Sequence, residues 1–157
     1  MLGFEQMTIR LVMAMVLGAL VGLEREYVGK EAGVRTAMLV SGGAAIFTLI
    51  ALSLPYIVAT SPENLPEVVA RNSGFLGVIA NIVVGIGFLG AGIILKTEER
   101  VHGLTTAAVV WATAAIGTLA GLGLFKFSLA SAVIIAGSLY ALRKFGLYEH
   151  VRPQQKQ

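Results

Sequence analysis

Glu24, Arg25 and Glu26 stand in a row, and Lys30, Glu31 and Arg35 follow closely, making this the most charge-dense part of the chain. Carboxylates and guanidinium groups this close can pair. The spacing suggests Glu24 or Glu26 with Arg35. Long charged side chains near helix ends also reach out to lipid head groups, and that reading stays open beside the first. The second constellation is Gly85-Ile86-Gly87-Phe88-Leu89-Gly90-Ala91-Gly92. Gly85-x-Gly87-x-x-Gly90 spells the dinucleotide fingerprint. That chemistry requires a preceding strand, a soluble βαβ unit and an acidic residue about 20 positions on, none of which the surroundings offer. The third is His102 with Glu98 and Glu99 just before it. Four-ligand spacing is absent, so these residues read as a solvated loop rather than a metal site.

Nothing else in the chain resembles catalytic machinery. With no cysteine there is no disulfide framework, thiolate site or sulfur nucleophile. No nucleophile and base stand at a useful spacing, and no phosphate loop is present, so neither an enzyme nor an ATP-driven pump is expected. No cofactor is expected either. The net charge of +3 comes from loop and tail lysines and arginines rather than from a basic stripe interleaved with aromatics, which argues against nucleic acid.

The elements that must position these residues are membrane spans. Hydrophobic residues make up 56% of the 157 and charged ones only 13%, against about a quarter charged in a soluble domain. The mean hydropathy is +0.81. An all-α, multi-pass membrane protein with the lipid bilayer as its solvent follows, organised as one domain over 1–157. Spans are expected at about 7–28, 36–58, 74–95, 105–122 and 127–142, each near the roughly 20 residues that a bilayer requires. The head from Met1 to Arg10 is not a signal-peptide n-region, because Glu5 offsets Arg10. Gly18 and Gly22 stand four apart, and Arg25 continues their face. Ser41-Gly42-Gly43 is expected to loosen the second span. Ser61-Pro62-Glu63 reads as the start of a short interfacial helix reaching Asn72.

The third span carries Asn81 four residues before the glycine cluster. The four glycines can serve two ends: close approach of another helix, or a locally unwound turn whose freed backbone faces a ligand. Gly103-Leu104-Thr105-Thr106 opens the fourth span, with a threonine placed to cap it. That span then carries Trp111, and its pair Thr113-x-x-x-Gly117 suits packing against the glycine-rich third span. Gly121-Leu122-Gly123 marks a hairpin into the fifth span, and His150 to Gln157 reads as a polar tail. Five spans place nine of the twelve lysines and arginines on one side. The positive-inside rule makes that side cytoplasmic and the N-terminus external.

Gly18-Ala19-Leu20-Val21-Gly22-Leu23-Glu24-Arg25-Glu26, Ala32-Gly33-Val34-Arg35-Thr36, Gly85 to Gly92, and Gly103-Leu104-Thr105-Thr106-Ala107-Ala108 with Trp111 and Ala115-Ile116-Gly117 occur in this order. Together they resemble the membrane domain of the bacterial MgtC/SapB family, over Leu11 to Leu142. The resemblance implies a bacterial inner-membrane protein of five helices with an external N-terminus. Its members are linked to growth in low magnesium and to survival in host cells. Longer members continue into a cytoplasmic domain, which is not expected here after Tyr148. Where many relatives carry an arginine followed by Ala-Ala-Gln before the glycine motif, this chain has Gly77 and Ala80-Asn81.

Two functions fit. One is a regulator of ion or magnesium homeostasis or of membrane energetics, acting through small-residue faces on its own copy, as a homodimer or other homo-oligomer, or on another membrane protein. The other is a small transporter or channel for an ion or small solute. Its path would be lined by Asn81, the glycine break and the group Glu24, Arg25, Glu26 and Arg35. A divalent-cation path would normally show carboxylates at membrane depth, and none lies between the interfaces. The candidate functional residues are Glu24, Arg25, Glu26, Arg35 and Thr36 at the cytoplasmic mouth. To these are added Asn81, Gly85, Gly87, Gly90 and Gly92 in the middle, and Thr105, Thr106 and Trp111 at the opening of the fourth span.

Overall fold

The structure, a computed structural model, describes residues 2–59, 61–71, 74–98 and 100–145. The expected tail from His150 to Gln157 lies outside them, as do Asn72 and Glu99. Six α-helices run through the described residues: α1 (Phe4–Tyr27), α2 (Val34–Val58), α3 (Leu65–Arg71), α4 (Gly74–Ile93), α5 (Leu104–Gly121) and α6 (Phe125–Lys144). A 3-10 turn at Pro62–Asn64 precedes α3. A small antiparallel hairpin, β1 (Leu95–Lys96) with β2 (Val101–His102), joins α4 to α5. Four helices, α1, α2, α5 and α6, are long and apolar enough to cross a membrane. The stretch Gly77–Ile93 of α4 is a shorter apolar helix. The chain is therefore a helical multi-pass membrane protein.

Its packing is inverted relative to a soluble bundle. Small residues fill the inside: Ala14, Gly18, Ser41, Ala44, Ala45, Thr48, Thr113, Gly117 and Ala120 are buried. Large apolar side chains point out, among them Val12, Val16, Leu20 and Leu23 on α1, Leu39, Phe47 and Ile57 on α2, and Val133 and Ile134 on α6. Such a perimeter is stable only in hydrocarbon, where lipid tails are as apolar as leucine. Helices then associate through close packing and hydrogen bonds instead of water exclusion.

The close packing centres on α2, which lies against α1, α4 and α5. A Cβ added at Gly18 of α1 would come 2.5 Å from the Ala37 carbonyl oxygen, and one at Gly22 would come 2.6 Å from the Val34 Cα. On the opposite flank, a Cβ at Gly117 of α5 would collide with the Ser41 carbonyl. So α2 is clamped between glycines of α1 and α5. The expected packing of Gly117 on the glycine-rich third span is corrected: its neighbour is α2, because the α1–α2–α5 sandwich leaves α5 free to meet α4 only through residues such as Ala107.

Hydroxyls stitch the sandwich. Ser41 Oγ donates to the Ala14 carbonyl at 2.7 Å, joining α2 to α1, and Ser128 Oγ donates to the Ile116 carbonyl at 2.9 Å, joining α6 to α5. Thr48 and Thr113 donate within their own helices to Ala44 and Val109. The helix α2 runs unbroken through Ser41-Gly42-Gly43, so the expected loosening does not occur. Buried Ser41 and Gly42 belong to the helix-to-helix contact rather than to a break.

The two ends of the bundle differ. At one, the α5–α6 turn receives the Arg10 side chain of α1, whose Nη1 donates to the Gly121 carbonyl at 2.8 Å. At the other, the end of α1, the β1–β2 hairpin, the start of α5 and the end of α6 gather around a polar hollow. Gly117→Ala is expected to destabilise the protein by about 1–3 kcal/mol, because the new methyl group must displace the Ser41 backbone. Gly87→Ala, which meets open space, is expected to be neutral or mildly stabilising through helix propensity. Unfolding of both variants in detergent micelles checks the contrast; equal stability of the two would refute the clamp.

Candidate functional site

Glu24, Arg25 and Glu26 are consecutive on the last turns of α1, so their side chains leave the helix about 100° apart. Each meets a different helix. Arg25 follows Gly18 and Gly22 on the face turned into the bundle. It is only 5% exposed, and its Nη2 donates to Thr106 Oγ1 on α5 at 3.0 Å. Glu24 faces α6, with Oε1 3.6 Å from Arg143 Nη1. That guanidinium lies over the Tyr27 and Tyr140 rings, at 5.5 and 5.2 Å from their centroids. Glu26 turns to α2, where its Oε2 accepts from the Val34 N–H at 2.8 Å. A carboxylate at this first turn satisfies an otherwise orphaned amide and complements the helix dipole.

The pair expected between Arg35 and Glu24 or Glu26 is corrected by these contacts. The α2 N-terminus takes Glu26 and Arg143 takes Glu24, so Arg35 is left exposed with no ion pair among the described residues. Thr36 is half-buried on the same first turn. At the start of α5 the N-cap is Gly103, whose φ of +83° is the left-handed conformation that glycine adopts without strain. Among the described residues no side chain caps this terminus, so the expected threonine cap is not formed. Thr106 is instead occupied by Arg25, and Thr105 is exposed. Trp111, two turns along α5, is half exposed.

Around Arg25 lies a cavity of about 530 Å³, walled by the end of α1, the β1–β2 hairpin, the start of α5 and the end of α6. Two polar atoms buried in this region have no hydrogen-bond partner among the described residues, Glu24 Oε2 and Arg25 Nε. His102 sits exposed on β2. Among the described residues no group of three His, Asp or Glu converges on a point.

The glycine-rich stretch has a different setting. The helix α4 continues regularly from Gly74 to Ile93, so no unwound turn occurs at Gly85–Gly92. Cβ atoms added at Gly85, Gly87 or Gly92 would meet nothing within 4 Å, and one at Gly90 would rest 3.6 Å from the Ala107 Cβ in ordinary contact. Among the described residues, the tight helix contacts are therefore at glycines of α1, α2 and α5, namely Gly18, Gly22, Gly42, Gly117 and Gly121. Asn81 is exposed, and with Gly85 it borders an apolar groove of about 460 Å³ against Gly43 and Phe47 of α2. The groove and the charged cavity share no lining residue. Asn81 and Gly85 thus border a different hollow from Glu24 and Arg25, and Arg35 lines neither.

Several contributors were not singled out from the sequence. Arg143 lines the Glu24 side of the cavity with Tyr27 and Tyr140 against its guanidinium, and Arg10 fastens the opposite end. Arg143 is visible in sequence only as a positive charge closing the last span; nothing local marks its pairing with Glu24. Replacing Thr106 with Val is expected to cost about 1–2 kcal/mol, since it leaves a buried guanidinium short of an acceptor. Thr106→Ser should stay near the wild type. Reversible unfolding in detergent or bicelles measures both; a Val variant as stable as the Ser variant would deny the bond its structural role.

Comparison with known proteins agrees with the motifs. The chain is 43% identical over 136 residues to the protein MgtC of Salmonella typhimurium, covering 87% of this chain and 52% of that protein. It is 36% identical over 150 residues to an uncharacterised Synechocystis protein, covering 96% and 58%. With the protein SrpB of Synechococcus elongatus it shares 40% over 131 residues, 78% of this chain and 67% of that one. The chain spans about half the length of the Salmonella relatives it matches. No solved structure matches it. The sequence model of the MgtC family matches residues 11–147, nearly the whole chain, and the protein belongs to that family.

Proposed function

We propose that the chain is a non-enzymatic inner-membrane regulator of ion or magnesium homeostasis, or of membrane energetics, that works by helix-to-helix contact. The magnesium connection comes from the MgtC family; the contact mode comes from α4. The single observation that carries it is the contrast between two sets of glycines. Those of α1 and α5 are consumed inside the bundle, whereas a Cβ added at Gly85 or Gly92, which share one face of α4, or at Gly43 of α2 would meet nothing within 4 Å among the described residues. Glycines that lower helix propensity without any contact within the chain suit a helix brought in from outside.

Asn81 adds a polar anchor to this face. Its amide has no hydrogen-bond partner among the described residues, and it stands about a third of the way along an otherwise apolar helix. In hydrocarbon an amide without a partner is costly. Because an amide both donates and accepts, it can pair reciprocally with its own copy across a two-fold axis. A second copy of this chain is therefore the occupant we assign to the α2–α4 groove.

The same reading takes α4 as a fifth span. Its twenty residues fit a bilayer, and five crossings put the charged cavity end in the cytoplasm by the positive-inside rule. The transporter alternative is less well supported, because Glu24 and Arg25 line one hollow, Asn81 and Gly85 another, and α4 is unbroken through its glycines.

The chain has no native cysteine, which makes crosslinking clean. Gly85→Cys is expected to give a crosslinked dimer in membranes, and Gly43→Leu in the same chain should abolish it without loss of folded protein. Val133→Cys, on the lipid face of α6, should remain monomeric. Growth in low magnesium of cells that depend on this protein should fail with Gly43→Leu. If Gly85→Cys and Val133→Cys behave alike, and growth survives Gly43→Leu, the contact mode is wrong; a crosslink from Gly85 to a different membrane protein would move the assignment to that partner.

A further inference from the structure

The charged cavity at the α1, α5 and α6 ends plays no part in the contact face of α4. We infer that it is a binding site for a phosphate-class oxyanion. Three observations converge on this. Arg25 is more than nine-tenths buried, lines the cavity and spends only Nη2 on Thr106, which leaves its Nε without an acceptor. A buried guanidinium needs acceptors beyond the one hydroxyl of Thr106, and an oxyanion in the cavity supplies them to the part of Arg25 that lines it.

The start of α5 opens on the same cavity. Its N-cap, Gly103, offers no side chain and no other side chain among the described residues caps it, and the N–H groups of Leu104, Thr105 and Thr106 have no acceptor within the helix. An uncapped N-terminus of a helix of eighteen residues favours an anion through both its free amides and its dipole. The charge balance has the same sign. Arg25, Lys30 and Arg143 line the cavity against one carboxylate, Glu24, so the lining carries a net charge of about +2.

Glu24 also narrows the chemistry. Its Oε1 is near Arg143, but its buried Oε2 has no donor. The Glu24 carboxylate in the cavity wall repels a fully deprotonated anion. A ligand with a hydroxyl beside its oxyanion satisfies both carboxylate and guanidinium. Hydrogen phosphate has one on phosphorus, and the headgroup of phosphatidylglycerol has two on its terminal glycerol. The apolar part of the wall, including Leu104, Leu139 and Leu142, suits the lipid, while the amides and cations suit either source.

The test uses the full chain, purified in a neutral maltoside detergent and stripped of phospholipid. It is titrated separately with short-chain phosphatidylglycerol, short-chain phosphatidylcholine and inorganic phosphate, with binding read by native mass spectrometry and by the shift in Tm. Saturable binding of one phosphatidylglycerol, but of neither phosphatidylcholine nor inorganic phosphate, identifies a lipid headgroup site. Binding of inorganic phosphate as well identifies a site for the free oxyanion. In either case Lys30→Gln and Arg143→Gln, neither of them buried, should each weaken binding roughly tenfold or more. Lys144→Gln, which removes the same charge just outside the cavity, should not. The inference is overturned if neither probe binds, if Lys30→Gln and Arg143→Gln bind as the wild type does, or if Lys144→Gln weakens binding equally.

Discussion

The structure depends on how closely the backbone of α2 is approached from both sides. Gly18 and Gly22 of α1 rest on Ala37 and Val34, and Gly117 of α5 rests on Ser41. In lipid there is no gain from hiding apolar area, so a bundle is held by dispersion between surfaces that touch and by the hydrogen bonds that touching permits. Ser41 can reach the Ala14 carbonyl only because no side chain separates α1 from α2 there. Large side chains are turned to the perimeter by the same constraint, and the fold becomes small inside and bulky outside.

The charged end is a consequence of that clamp. Because Gly18 and Gly22 face inward, the residue three further along the same stripe must also face inward, and that residue is Arg25. Its neighbours in sequence then fan out to α6 and α2. A guanidinium placed there needs acceptors. Thr106 supplies one, and the remaining unmet capacity, with the uncapped start of α5 beside it, gives this end its character. The face of α4 is the opposite case, small residues and one amide with nothing inside the chain to meet.

Much of this was legible in the sequence where the signal is local. Helix ends fell within a few residues of the expected spans: 7–28 against Phe4–Tyr27, and 36–58 against Val34–Val58. The stripe of Gly18, Gly22 and Arg25 is a matter of helical periodicity, and it is indeed the buried face. Partners across the bundle were not legible. Gly117 is small whichever helix it meets, and composition cannot say that α2 rather than α4 will be the one. Glu24 and Arg143 are at opposite ends of the chain, so their pairing depends on α6 returning beside α1. The hairpin at Leu95–Lys96 and Val101–His102 falls where the sequence reads only as a solvated loop, because strands of two residues carry no alternation to detect. The glycine cluster was the most conspicuous motif and the least informative, since small side chains announce room for a neighbour without naming it.

Whether the protein acts by contact or by conduction is decided most directly by ion flux in proteoliposomes that contain this chain alone, under magnesium and proton gradients in turn. Vesicles as tight as protein-free ones, with wild type and Glu24→Gln alike, are the result expected of a protein that regulates through its helix faces. Flux that is present with the wild type and lost with Glu24→Gln would contradict that reading and make the charged cavity part of a conduction path.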